Sequence, residues 1–451
     1  MKHMNPTLKI AAFFMLLLGL AFASSVKNDF GHCERVVKRW VSSSLDQDIK
    51  EDKHALRDLL FFLHIPRTGG RTYFHCFLKK LYSSSDECPR SYDKLRFDPS
   101  KQKCRLLVTH DDYSLISKLP REKTSVVTIL RDPTDRVFST YEFSIEVAAR
   151  FLVHPNLTSA TQMAGRIRSK TTGVSTLDIW PWKYLVPWMR EDLFVRRDAR
   201  KLRGIDHIES KDPYNMQEMA MPLDKYINDP VAHDIVHNGA TFQIAGLTNN
   251  SYLPESHEVR HCVQKYKILG QHVLRVAKRR LDNMLYVGIT EDHRESATMF
   301  ANVVGAQVIS QLVASNSTTE RGRISKSEQS SSFSDSEPDN IDNQSNTSAN
   351  KATQIASTEN TAEKSENITE MTVEQLMELY GTCISSLRKT QARRRTNSLM
   401  RISPANFSKE ARRQVRDSVI QQIRTLNNLD LELYEYARVI FKKQHKQATS
   451  M

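Results

Sequence analysis

Residues Phe61 to Leu81 read FFLHIPRTGGRTYFHCFLKKL. Phe61, Phe62, Leu63 and Ile65 make a short apolar run suited to a buried strand, Pro66 to Gly70 break it, and Phe74, Phe77, Leu78 and Leu81 recur at helical spacing. The stretch predicts strand, loop and helix in succession. Such a turn aims backbone N–H groups and the positive end of the helix dipole at one point, while Arg67, Thr68, Arg71 and Thr72 add guanidinium and hydroxyl donors. A phosphate or sulfate is the natural occupant. The pattern G-x-x-x-x-G-K-[ST] is absent and no lysine directly follows the glycines, which disfavours ATP or GTP hydrolysis. By itself the stretch fits an ordinary glycine-containing βα turn equally well.

Two further stretches weigh on that choice. In Lys103 to Leu119, KCRLLVTHDDYSLISKL, the apolar strand Leu106, Leu107, Val108 runs straight into His110, Asp111 and Asp112. Residues just past a strand's C-terminal end face the ligand crevice of an α/β sheet. His110 is then either a catalytic group, with Asp111 or Asp112 to orient it, or a surface or capping histidine beside two aspartates. In Ser125 to Phe143, SVVTILRDPTDRVFSTYEF, a buried strand ends at Leu130, Asp132 is placed to cap a helix and Pro133 to start it. Arg131, Arg136 and Ser139 then lie on the turn and the first helical turns. They form either a second phosphate site or a well-capped βα unit with solvated arginines.

Two strand-loop-helix units, each presenting arginine and hydroxyl groups, suit a carrier with two separate phosphates. HIPRTGGRT followed by ILRDPTDRVFSTYEF resembles the phosphate loops of Golgi sulfotransferases that use 3′-phosphoadenosine 5′-phosphosulfate (PAPS). The chain is similar to the heparan sulfate 6-O-sulfotransferase group and, more closely, to the plant tyrosylprotein sulfotransferases. The resemblance covers nearly all of Leu59 to about Ser315, including DIWPWKYLVPWMREDLF, HNGATFQIAGLTNN and LYVGITEDHRESA. It resumes from about Met371 to Gln444, with RISPANFS and NNLDLELYEYARVIF.

The resemblance implies an α/β, P-loop-like sulfotransferase fold, with a central parallel sheet flanked by helices. Arg67, Thr68, Gly69, Gly70, Arg71 and Thr72 match the loop that holds the 5′-phosphosulfate, and Arg131 and Ser139 match the pair that holds the 3′-phosphate. His110 falls where the 6-O group has its catalytic histidine. The wider family usually has lysine where this chain has Arg67; arginine can grip a phosphosulfate bidentately but is a poorer proton donor. Arg67 is therefore expected in catalysis as a charge stabiliser. The implied co-substrate is PAPS, no metal is required, and the implied acceptors are acidic, tyrosine-containing secreted peptide precursors with an Asp-Tyr pair. A glycan O-sulfotransferase and a non-catalytic luminal protein that binds PAPS or its product PAP are the alternatives. The coexistence of both loops with His110 argues against the second.

The rest of the 451-residue chain fits a secretory protein. Its net charge of +13 and pI of about 9.3 favour anionic partners; with basic residues dispersed and no zinc-finger or RNP-like pattern, nucleic acid is not expected. Lys2, His3 and Lys9 precede an apolar run from Ile10 to Ala23 that ends Ala21-Phe22-Ala23, the order of a signal peptide, with an uncleaved anchor as the alternative. No later stretch is expected to cross a membrane. Cys33, Cys76, Cys88, Cys104, Cys262 and Cys383 all follow that leader, where disulfides persist; Cys88–Cys104 is the pair favoured, and Cys76 reads as a buried free thiol. Glycosylation sequons occur at Asn156, Asn249, Asn316, Asn343, Asn346, Asn367 and Asn406. Trp180, Trp182, Trp188 and Tyr184 read as core packing or as a wall of the acceptor groove, and Thr241 and Gln243 as candidate nucleotide contacts.

The division expected is a signal peptide at 1–23, an N-terminal luminal segment at 24–60 and a sulfotransferase core at 61–314. A Ser/Thr/Asn-rich disordered insert follows at 315–370, with C-terminal helices completing the core at 371–445 and a tail at 446–451. The resemblance implies a Golgi lumen location and a C-terminal membrane span. That span is not seen before Met451, so a secreted form is a second expectation.

Overall fold

The computed structural model describes residues 29–45, 54–89, 104–153, 176–205, 212–314, 371–402 and 406–449. The expected signal peptide and insert, and the sequons other than Asn249 and Asn406, lie outside them. Four strands, β1 (Leu59–Leu63), β2 (Leu106–Thr109), β3 (Thr124–Leu130) and β4 (Tyr286–Ile289), form one sheet in the order β2-β1-β3-β4. All its pairings are parallel. Every strand residue is buried, which is why these segments read as unbroken apolar runs rather than alternating ones. This is the α/β architecture expected.

Helices cover the sheet. The amphipathic α1 (29–45) buries Cys33, Val36, Val37, Trp40 and Val41 against the same apolar cluster as the strands. After β1, α2 begins at Gly70, passes through a π turn at Phe74–Leu78 and ends at Leu81. After β3, α3 (Pro133–Arg150) starts as its sequence dictates: Pro133 is the first helical residue and the Asp132 carboxylate accepts from Asp135 N at 3.0 Å. Then follow α4 (Trp182–Leu202), α5 (Leu223–Asn228), α6 (His233–Val236), α7 (Gly239–Ile244), α8 (Ser256–Lys265) and α9 (Gly270–Asp282). Beyond β4 come α10 (His293–Ala314), α11 (Val373–Leu399), α12 (Lys409–Arg413), α13 (Asp417–Leu426) and α14 (Asn428–Thr449).

By length and apolar content α10 could cross a bilayer, contrary to the expectation that no stretch past the leader would. Its Ala297, Met299, Phe300, Ala301, Val304 and Val308 are buried in the cluster around the sheet, so that apolar face serves the core. A second apolar cluster forms where α3 meets α4 and the segment from Tyr214 to Val236, closed by Leu399, Phe407, Val419 and Ile423 from the C-terminal part. Trp182 and Trp180 are buried, the indole of Trp180 donating to Asp234 Oδ2 at 3.1 Å.

Three disulfides fasten these layers: Cys33–Cys262, Cys76–Cys383 and Cys88–Cys104. The Cys88–Cys104 expectation holds. Cys76 is not a free thiol: it joins α2 to α11 across 307 residues of sequence, a closure no local pattern announces. Proteolysis confined to 315–370 should therefore leave two fragments that migrate as one species on a non-reducing gel and separate on reduction. Separation without reductant would rule out the Cys76–Cys383 bond.

Candidate active site

Because β1 has β2 on one side and β3 on the other, the connections leaving β1 and β3 part at a switch point on the C-terminal edge of the sheet. Leu63 pairs with both Thr109 and Thr128, so the residues next in sequence arrive side by side. His64 follows β1 and His110 follows β2; their rings lie 4.3 Å apart between centroids. These two histidines, Arg67 and Arg71 line one cleft of about 440 Å³ with Phe143, Glu146, Arg150, Trp182 and, from α11, Arg388, Arg394 and Arg395. A volume of that order suits a small-molecule site.

The loop Pro66–Gly69 is shaped by two left-handed residues, Arg67 at φ 69° and Gly69 at φ 86°. The first is costly for a side-chain-bearing residue, and its neighbours hold it there. Arg131 donates to the Arg67 carbonyl at 3.3 Å, while Arg67 Nε donates to Ser139 Oγ at 3.0 Å and its guanidinium lies 4.3 Å from the centre of the Phe143 ring. The two arginine-bearing loops thus meet in one hydrogen-bonded chain. Burial, and then the charge of Arg131, lower the Arg67 pKa to about 10, which leaves it cationic at neutral pH. The Thr68 hydroxyl is buried and donates to the Ile65 carbonyl at 2.9 Å, so it fastens the loop from within. Thr72 N donates to Gly69 O at 2.9 Å, closing the turn at the head of α2.

Gly70 is required by a close approach. A Cβ there would stand 2.3 Å from His64 Cδ2 and 2.6 Å from its Nε2, and the imidazole is flanked by Phe62 and His110. Gly70→Ala should displace the His64 ring and lower turnover by about a hundredfold, the order expected for an ångström-scale misplacement. In a His64→Ala background the same change should cost little. Equal losses in both backgrounds would show that the clash acts elsewhere.

His110 Nδ1 lies 2.8 Å from the His64 carbonyl oxygen. Since a carbonyl only accepts, Nδ1 carries the proton and the neutral ring keeps its lone pair on Nε2. Burial, with Arg67 nearby, lowers the His110 pKa to about 4 against one raising contact, the His64 carbonyl. Desolvation and the charge of His110 push His64 well below its usual value. The aspartates after His110 serve the loop. Asp112 accepts from Ser114 and from Thr248 N and Oγ1, at 2.9 and 2.7 Å for the latter pair, while Asp111 accepts from Thr109 Oγ1 at 3.1 Å and from Asn250.

Several other expectations resolve differently. Arg136 is 1% exposed and committed to the Ile235 carbonyl and to Asp430, each under 3 Å away, so it is a core cation rather than a solvated or anion-binding one. Thr241 donates both its N–H and its hydroxyl to Asp430 Oδ1 at 2.7 Å. The Gln243 amide donates to the His110 carbonyl at 2.9 Å, bracing the loop. His64 was legible as the same kind of signal as His110, a histidine directly after a strand. The α11 arginines carried no such mark.

An α/β sheet that gathers a glycine loop, arginines and a proton-accepting imidazole at its switch point is an architecture for group transfer from an anionic donor. No family model matches the chain. Protein-tyrosine sulfotransferase of Arabidopsis thaliana is 63% identical over 447 residues, covering 98% of this chain and 87% of that protein. The chain belongs to the protein-tyrosine sulfotransferase family and is a transferase.

Proposed function

We propose that the cleft transfers a sulfuryl group from PAPS to tyrosine hydroxyls of secreted peptides, preferentially beside acidic residues, leaving PAP and O-sulfotyrosine. The observation that carries this is the meeting of His110 with the Arg67–Arg71 loop in one cleft, the base and the anion site within a single sheet edge. The residues present fit the donor. Arg67, Arg71 and the amides at the head of α2 are suited to the 5′-phosphosulfate, and Arg131 with Ser139, joined to Arg67, to the 3′-phosphate. When bound, the donor supplies an activated sulfuryl group.

A free tyrosine, with a pKa of about 10, is ionised only about one part in a thousand near pH 7, a deficit of roughly 4 kcal/mol. His110 Nε2 accepts the phenolic proton as the phenolic oxygen bonds to sulfur and the bond from sulfur to the 5′-phosphate oxygen breaks. Arg67 and Arg71 hold the charge that moves onto that phosphate. Three disulfides and no free cysteine support an oxidising, secretory compartment, and we assign the protein to the Golgi lumen on that ground and on family membership.

The test is sulfate transfer from labelled PAPS by the secreted chain, offered an Asp-Tyr peptide, its Asp-Phe counterpart and desulfated heparan in parallel. Label on the Asp-Tyr peptide alone is the expected result. Label on the glycan would make the protein a glycan sulfotransferase, and binding of PAP without any transfer would make it a non-catalytic nucleotide-binding protein.

A further inference from the structure

Helix α11 is built unlike its neighbours. Its first turns bury Leu376 and Tyr380 in the cluster around the sheet and its last turn buries Leu399 in the cluster around α3; between Tyr380 and Ser398 it buries no residue. Cys383, Ile384 and Leu387 are half-buried against the first cluster, and from Arg388 to Asn397 no apolar side chain packs against either one, so this stretch is not held by an amphipathic face of its own. It is held at its ends. Cys383 is bonded to Cys76 on α2, and Arg395 donates to Glu142, a 3%-exposed carboxylate of α3 that also accepts from Arg412 and Tyr214. The helix is a bridge from one apolar cluster to the other, and the cleft with His64 and His110 lies beneath its middle.

That middle carries Arg388 and Arg394, both exposed and both lining the cleft. Among the described residues neither side chain has a hydrogen-bonding or ionic partner, whereas Arg150 is paired with Glu146 at 2.7 Å and Arg395 with Glu142 at 3.2 Å. Among the described residues that line the cleft, Glu146 is the one acidic residue. On that reading the donor's phosphates are already provided for by Arg67 and Arg131 on the two strand-end loops and by Arg71 at the head of α2. Two guanidiniums therefore face the cleft with no anion assigned to them, separated by about 9 Å along the helix, and Ala392 between them leaves the surface open.

We propose that Arg388 and Arg394 form the acceptor-recognition site, binding carboxylates of the acidic residues that flank the target tyrosine. The inference rests on the reading of the cleft as a tyrosine-sulfation site and names the residues that select its acceptor. The disulfide and the Glu142 cluster fix the bridge on either side of the two arginines, which line the same cleft as the imidazoles, and a peptide held there by its carboxylates has its phenol in the cleft that holds His110. Because both arginines are exposed, their contribution is moderate and screened by salt.

Binding separates this from the chemistry. With PAP present, the full-length chain should bind a fluorescent Asp-Phe peptide more tightly than its Asn-Phe counterpart. Arg388→Gln/Arg394→Gln should weaken the Asp-Phe peptide about tenfold and leave the Asn-Phe peptide and PAP itself unaffected. Arg388→Glu/Arg394→Glu should go further and favour a Lys-Phe peptide. In turnover the loss for the Asp-Tyr peptide should fall on KM. Unchanged Asp-Phe affinity in the glutamine variant overturns the proposal, and a parallel fall in PAP affinity would place the arginines on the donor instead. Absence of peptide sulfation by the unaltered chain is a separate result: it removes the functional reading, whatever the binding series shows.

Discussion

His110→Ala should lower sulfuryl transfer by about 10² to 10⁴, the range of a positioned general base, while PAP still binds. One hydrogen bond sets the tautomer. With Nδ1 turned to the His64 carbonyl at 2.8 Å, the lone pair is confined to Nε2, and Gln243 fixes the backbone of the same residue through its carbonyl at 2.9 Å. Removal of the ring leaves water as the proton acceptor without touching Arg67 or Arg131. The lowered pKa, about 4, keeps the free enzyme's base unprotonated well below the usual histidine range. Accordingly, kcat/KM for the donor should stay flat from pH 7 down to about pH 5 instead of declining through about 6.5. Folding stability should show the opposite sensitivity. A histidine whose pKa is depressed on folding contributes fully above its unfolded value of 6.5 and loses that contribution as pH falls toward about 4, here as much as about 3 kcal/mol. Urea denaturation at pH 7 and pH 4.5, for the parent and His110→Asn, reads this out: the parent should lose more stability than the variant. A His110→Ala enzyme within threefold of the parent would move the search to His64, whose ring shares the cleft.

How far this site could be read in the sequence follows from distance along the chain. The phosphate-type loop, the capped start of α3 and the strand leading to His110 are each written within about twenty residues, and local pattern suffices for such units. Cys88 and Cys104, 16 apart, fall in the same class. What escaped is what arrives from far away. The helix expected at Val373 to Leu387 continues to Leu399 because the apolar period stops there while Gln, Ala and Arg, good helix formers, continue; with no apolar stripe, nothing in the sequence says which face the arginines present. Cys76 reads as a core thiol until α11 brings Cys383 to it. Thr241, polar and on a short turn, invited a ligand contact, but its partner is on α14, 189 residues on. A buried polar residue has to be hydrogen-bonded, and the sequence does not say by what.

That partner, Asp430, carries the other large effect: Asp430→Ala should destabilise the fold by about 3 to 5 kcal/mol. Arg136 and Asp430 are each 1% exposed and 2.8 Å apart. Asp430 also accepts the N–H groups of Ala240 and Thr241 and the Thr241 hydroxyl, so one carboxylate satisfies the head of α7 as well as a buried guanidinium. Its removal leaves the Arg136 charge in a place from which water is excluded, and among the described residues only the Ile235 carbonyl still accepts from it, at 2.9 Å. Truncating one member of a buried pair costs more than the pair's net worth, because the survivor is stranded. The double variant Arg136→Met/Asp430→Ala should for that reason be more stable than Asp430→Ala alone, although Thr241 and Ala240 remain without their acceptor. Chemical denaturation of the two single variants and the double would measure this coupling; additive losses would mean that the pair contributes nothing as a pair. The consequence reaches the cleft through Gln243, which sits on the same short helix as Thr241 and braces the His110 carbonyl. Asp430→Ala protein that remains folded at low temperature should accordingly lose turnover as well as stability, although Asp430 lies outside the cleft.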